Sequence, residues 1–211
     1  MADKGDGKLT AGLLSGDSAP KVSAIALAAG LSRRMGEDKL LLSYQGKTLI
    51  QRAVDLLADL PVYEKILVTT SVRLEKVLLP DGVHTEINSR PEDGQSCSVR
   101  LGLRGASGDW YLFMAADQPL LETDDIGQLL DCIASNNNKI IYPVIEGNPC
   151  MPALFSDCFR DELLACTGDT GGRTVRLAHP EVCVGIEPDR PVNFRDIDST
   201  EDYHYLEATQ W

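Results

Sequence analysis

The sequence has only three histidines, and no two of its six cysteines stand in C-x-x-C spacing. A structural zinc site, which needs closely spaced thiolate and imidazole ligands, is therefore not expected. Scattered cysteines without a pairing pattern point to buried, reduced thiols and a cytoplasmic protein. No apolar run approaches the roughly 18–20 residues of a membrane span. The N-terminal stretch lacks the apolar core of a secretory signal. Positive charge is the minority: 20 Lys and Arg against 32 Asp and Glu leave a net charge of −12. A general nucleic-acid or anionic-membrane surface is not expected on such a chain. There is no internal repeat. Two common phosphate loops are also missing. Gly36 is followed by Glu37 rather than Lys-Ser/Thr, and Leu31-Ser32 follows Gly30, so neither G-x-x-x-x-G-K-[ST] nor G-x-G-x-x-G occurs.

What is present is an alternation of strand-like and helix-like segments over 211 residues. Residues 1–20, rich in Gly, Asp, Lys and Ser, read as a disordered tail, and 21–211 as one domain. Val22 to Leu27, Lys65 to Thr70, Val83 to Ile87, Trp110 to Ala115, Ile140 to Val144 and Val182 to Ile186 are strand candidates. Between them, Thr48 heads a helix that ends before Pro61, and a short helix is expected from Val72 to Leu79. Further helices are expected after Ser96 or Ser98, after Thr123, from Ser156 to Cys166, over Gly171 to Ala178, and from Ser199 onward. The expectation is an α/β fold: a single-domain, mostly parallel twisted sheet with helices on both faces, Rossmann-like. Ligands then belong at the C-terminal strand ends.

The most informative stretch is Leu27-Ala28-Ala29-Gly30-Leu31-Ser32-Arg33-Arg34-Met35-Gly36-Glu37-Asp38-Lys39. A buried strand runs into two glycines and three cations. Glycine allows close backbone approach, backbone N–H groups can cradle phosphate oxygens, and cations offset their charge. The bland alternative is a strand-to-loop connection with a solvated charge cluster. The pattern resembles the signature of the molybdenum cofactor nucleotidyltransferases, the MobA-like NTP transferases, and among them the cytidylyl members. These belong to a wider group that includes the sugar-phosphate and methylerythritol nucleotidylyltransferases. The resemblance runs from about residue 22 to 207 and implies transfer of a nucleotidyl group from a nucleoside triphosphate to an acceptor phosphate.

That resemblance implies roles by position. Leu27, Ala28, Ala29 and Gly30 would hold the nucleotide, Arg34 the triphosphate, and Lys39 the reacting phosphates, with Arg34 and Lys39 as the catalytic cations. Asp117, in Asp117-Gln118-Pro119, and Asp198, in Asp196-Ile197-Asp198-Ser199-Thr200-Glu201-Asp202, would bind Mg²⁺. Taken alone, Asp117 could equally be a turn residue and Asp198 a helix cap. Gly94 and Ser98, in Gly94-Gln95-Ser96-Cys97-Ser98, would contact the base. Gln118, Pro119, Pro152, Asp169 and Arg173 would face the acceptor. The family's Gly-His-Pro is Cys150-Met151-Pro152 here, so the histidine is absent and the acceptor's identity stays open. The implied substrates are CTP, or GTP, and a molybdopterin, with a molybdoenzyme as a potential recipient. Leu-Ala-Ala-Gly rather than Leu-Ala-Gly-Gly favours CTP. Two rivals remain: transfer to another small phosphate, and a non-catalytic nucleotide-binding accessory protein for molybdoenzyme maturation.

Overall fold

Val22–Ala28 is apolar at every position except Ser23 and almost wholly buried, so it has no solvent face. Such a run belongs at the middle of a sheet covered on both sides. The computed structural model describes residues 19–32 and 35–208. Nearly all of the expected tail lies outside these residues, as do Arg33 and Arg34.

In chain order the strands are Val22–Ala28 (β1), Ser43–Tyr44 (β2), Lys47–Thr48 (β3), Glu64–Thr69 (β4), Val83–Ile87 (β5), Trp110–Ala115 (β6), Ile140–Ile145 (β7), Asn148–Pro149 (β8), Ala153–Ser156 (β9) and Cys183–Ile186 (β10). The helices are Leu49–Asp59 (α1), Ser71–Leu74 (α2), Gln95–Gly105 (α3), Thr123–Asp131 (α4), Arg160–Ala165 (α5), Gly172–Ala178 (α6) and Thr200–Ala208 (α7). The main sheet runs β10-β7-β9-β6-β1-β4-β5, with β8 paired to β7. β1, β4, β5 and β6 are mutually parallel, as are β7 and β10, whereas β9 is antiparallel to both β6 and β7. β2 and β3 form a separate hairpin.

The alternation of side chains along β1 divides the core. Ala24, Ala26 and Ala28 face a layer holding Leu49, Ile50, Val54 and Leu57 of α1 and Ile126 and Leu129 of α4. Ile25 faces the other layer, with Val99 and Leu103 of α3, Leu163 of α5 and Val175 of α6. Full burial of one such side chain stabilises the fold by roughly 1.5–3 kcal/mol. α3 lies so close to β1 that a Cβ on Gly102 would fall 2.4 Å from Ile25 Cγ2.

Three segments differ from the sequence reading. The helix expected over Val72 to Leu79 stops at Leu74. Leu78 is 82% exposed, and Gln51 holds that stretch against α1, accepting from the Leu78 N–H at 2.8 Å and donating to its carbonyl at 3.0 Å. Ser156 does not cap a long helix. A 3-10 turn, Asp157–Phe159, intervenes before α5. β9 carries no turn signal in the sequence, yet all four of its residues are buried between β6 and β7.

Candidate active site at the C-terminal strand ends

β1, β4 and β6 end side by side, so the segments that follow them share one edge of the sheet. Lys39 opens a 3-10 turn, Lys39–Leu41, capped by the Asp38 carboxylate, which accepts from the Leu40 N–H at 3.2 Å. Its backbone N–H donates to Ser32 Oγ at 3.3 Å. Its Nζ lies 2.6 Å from Asp117 Oδ2 and 2.9 Å from Asp198 Oδ1. Burial alone would lower the Lys39 pKa. The charge and hydrogen bond of Asp117, joined by those of Asp198, outweigh that and hold the ammonium above its ordinary value.

Asp117 stands two residues after β6, and Asp198 two residues before α7. Capping of α7 falls to Ser199 and Asp202: Ser199 Oγ accepts from the Asp202 N–H at 3.1 Å, and the Asp202 carboxylate accepts from Ser199. The Asp198 carboxylate reaches Lys39. One ammonium nitrogen thus bridges the two carboxylates. Asp117 Oδ1 is buried and has no hydrogen-bond partner, an oxygen left available to a ligand.

Asp196 completes the cluster. Crowding by the surrounding protein, and then the charges of Asp117 and Asp198, push its carboxyl up to about 7. The residue surface is nonetheless open to solvent, because it forms part of a cleft wall.

Two cavities border this cluster, one at Asp117 and the other at Asp196. The first, about 280 Å³, is lined by Leu27, Ala29, Gly30, Gly94, Gln95, Ser98, Asp117 and Asp169. Ala28 does not line it; that residue is fully buried, and its carbonyl accepts from Arg73 Nη1 at 2.7 Å. Ser98 Oγ accepts from Asn88 Nδ2 at 3.0 Å, which leaves the serine hydroxyl proton able to donate elsewhere. Gly94 has φ +89°, and a Cβ there would lie 2.5 Å from the Gly168 carbonyl carbon. Glycine at this position lets the start of α3 rest on the Gly168-Asp169 turn, where Asp169 Oδ1 accepts from the Gln95 N–H at 3.3 Å.

The second cavity, about 260 Å³, shares Leu27 and Gln95 with the first. It has an apolar floor of Val99, Phe113, Met151 and Phe155, and its polar lining includes Arg173, Arg176 and Asp196. Arg176 also lies over the Tyr142 ring at 4.7 Å.

The residues expected to face an acceptor are thus dispersed. Arg173 lines the second cavity and Asp169 the first. Gln118 is buried, and its amide donates to the Met151 and Phe194 carbonyls at 3.0 and 2.8 Å. The Pro119 carbonyl accepts from Arg52 Nε at 3.0 Å, on a different cleft. Pro152 is buried after a cis peptide bond. Asp196, Arg176 and Asn88 were not singled out by the sequence reading. For the first two a signal was there to be read: Asp196 stands two residues before Asp198, and Arg176 three after Arg173 on a helix.

Residues 24–182 match the MobA-like NTP transferase domain. A probable molybdenum cofactor guanylyltransferase of Bacillus cytotoxicus is 33% identical over 129 residues, covering 60% of this chain and 63% of that protein. The match thus spans under two thirds of that curated relative's length. A nucleotidyl transferase from Methanothermobacter thermautotroptrophicus superimposes with a TM-score of 0.77 at 24% identity, over 89% of this chain and 96% of that one. Rv0371c from Mycobacterium tuberculosis, in complex with manganese, gives 0.71 at 19% identity over 90% and 99%. These likenesses show a shared nucleotidyltransferase fold. The domain match starts inside β1 and ends just before β10, so it takes in the glycine loop, Lys39 and Asp117, and the chain belongs to the MobA-like NTP transferase family.

Proposed function

We propose that the chain is a divalent-metal-dependent nucleotidyltransferase that joins CMP, from CTP, to the phosphate of a molybdopterin and releases pyrophosphate. The observation that carries this reading is Lys39 Nζ, 2.6 Å from Asp117, which lines the first cavity, and 2.9 Å from Asp198, two residues from Asp196 in the lining of the second. In the reaction an oxygen of the acceptor phosphate attacks the α-phosphorus of the nucleotide. A new P–O bond forms while the bond to the departing pyrophosphate breaks. Two anions must approach one another, and negative charge builds on the equatorial oxygens. The Lys39 ammonium is a fixed point charge suited to offsetting it. The loop at Ala29 and Gly30 orients the nucleotide in the first cavity, and Arg173 and Arg176 present positive charge to an anionic acceptor in the second.

The donor set fits magnesium. Two carboxylates, one with a buried and unpartnered oxygen, make a sparse oxygen site that leaves room for phosphate and water ligands. Asp117 and Asp198 would hold the ion, which when bound supplies charge neutralisation for the triphosphate and its leaving group.

For the base, Ala29 is buried and lines the first cavity, so its methyl narrows the space beside the backbone and favours a pyrimidine. The Ser98 hydroxyl can donate to an acceptor on the cytosine edge. A net hydrogen bond of about 0.5–1.5 kcal/mol, added to the penalty for an unpaired group, supports a preference on the order of 10²-fold. GTP is the second reading, favoured by the guanylyltransferase name of the Bacillus cytotoxicus relative.

Pyrophosphate release with each of the four nucleotides, with and without molybdopterin, tests the reading. Release with CTP that requires the acceptor is the expected result, with Ala29→Gly narrowing the margin over GTP. GTP equal to or better than CTP would transfer the chain to the guanylyl branch. Nucleotide binding without pyrophosphate release would favour an accessory role.

A further inference from the structure

We propose that Arg73 is a positioning residue that sets Lys39 in the site; this rests on the nucleotidyl-transfer reading above. Arg73 is 4% exposed, a condition a guanidinium meets only when its donors are matched. Its partners come from both ends of the glycine loop. At the entry, Nη1 donates to the Ala28 carbonyl at 2.7 Å and Nη2 to the Gly30 carbonyl at 2.6 Å. At the exit, Nε and Nη2 each donate to the Asp38 carboxylate at 2.8 Å, one to each oxygen. That carboxylate also caps the 3-10 turn in which Lys39 is the first residue. One rigid fork thus fastens the start of the loop, its end and the turn that carries the ammonium.

Ser32 has φ +48°, an uncommon conformation for a residue with a Cβ, and Gly36 has φ +72°, which glycine adopts freely. Further ties on the loop and its exit turn are the Met35 N–H to the Ser32 carbonyl at 3.1 Å, the Lys39 N–H to Ser32 Oγ at 3.3 Å, and the Leu41 and Leu42 N–H groups to the Asp38 and Lys39 carbonyls at 2.9 and 3.1 Å. Arg73 itself is fixed from α2, whose first turn Thr70 caps by accepting from the Arg73 N–H. The linkage runs from β4 through α2 and the guanidinium to Asp38 and Lys39. Arg73 does not itself line the first cavity; it reaches that cavity through the carbonyl of Gly30, which does, and borders a separate open cleft beside the same loop.

The test is Arg73→Lys, which keeps the charge and loses the fork. The turnover number is expected to fall roughly hundredfold, the cost of about 1 Å of misplacement, with a smaller change in nucleotide KM. A second readout does not depend on activity. The rate of acylation of Lys39 Nζ by a limiting amine reagent, mapped by peptide mass spectrometry against Lys47, is expected to rise several-fold as the ion pairs to Asp117 and Asp198 loosen. A purely structural arginine would lower the melting temperature and leave the Lys39-to-Lys47 ratio unchanged, and an unchanged ratio overturns the proposal. Should Arg73→Lys not fold, Asp38→Asn removes the exit tie from the other side and is held to the same ratio. If the native protein releases no pyrophosphate with any nucleotide, the functional reading fails on its own, and the acylation ratio alone decides the role of Arg73.

Discussion

Lys39 sits between two carboxylates that belong to loops far apart in sequence, and it is 14% exposed at its side chain. An ammonium so placed is costly to desolvate, and the arrangement persists because Asp117 and Asp198 more than offset that cost. Lys39→Ala is expected to lower kcat/KM by at least 10²–10³, the scale seen when a single group that stabilises transition-state charge is removed. Its melting temperature should stay within a few degrees of the native value, since no core packing is lost; steady-state kinetics and a thermal melt check both halves. Lys39, Asp117 and Asp198 were legible in the sequence because each stands in a motif at a strand or helix end. Arg73 was not, because a cation on a short helix reads as a solvated charge. Only the tertiary placement of α2 under the glycine loop reveals what it holds. Asn88 was hidden for a similar reason: its role depends on meeting Ser98 across the start of α3.

Among the elements, β1 and α3 set the geometry of the first cavity, and their separation is fixed at Gly102. Gly102→Ala would place a methyl into Ile25 and should cost about 1–3 kcal/mol, read as a lowered midpoint in chemical denaturation without a change in slope. α5 and α6 are joined by an exposed contact, His179 Nε2 to Glu162 Oε2 at 2.8 Å. The hydrogen bond and charge of Glu162 raise the His179 pKa above its ordinary 6.5, aided by Glu181. The folded value exceeds the unfolded one, so the stabilisation is complete below the unfolded pKa and is lost as pH rises through the folded pKa. NMR titration of His179 should show the raised value, and Glu162→Gln should return it toward 6.5. Most elements were legible because strongly apolar strands and capped helices announce themselves, as at Trp110–Ala115 and Leu49–Asp59. β9 was not, because four buried residues after a proline resemble any loop that happens to be apolar; its strand character comes from its neighbours β6 and β7.

At the scale of the whole molecule, the sheet gathers the glycine loop, Asp117, Asp196 and Asp198 at one edge, although they come from the start, middle and end of the described chain. Among the described residues no helix is long and apolar enough to cross a membrane, and no group of three or more His, Cys, Asp or Glu is arranged to hold a metal ion. On the proposed reading, Mg²⁺ would be held by the nucleotide's phosphates together with Asp117 and Asp198. Asp117→Asn should raise the Mg²⁺ concentration for half-maximal activity by tenfold or more, as measured by metal titration at saturating nucleotide.

The most direct test of the central claim is ³¹P NMR of the purified chain incubated with CTP, Mg²⁺ and molybdopterin. The account predicts loss of the triphosphate signals and the appearance of pyrophosphate together with two coupled phosphoanhydride resonances, the new bond between CMP and the acceptor phosphate. A spectrum in which CTP and acceptor persist unchanged, or in which CTP yields pyrophosphate and free CMP with no new phosphoanhydride, would contradict it.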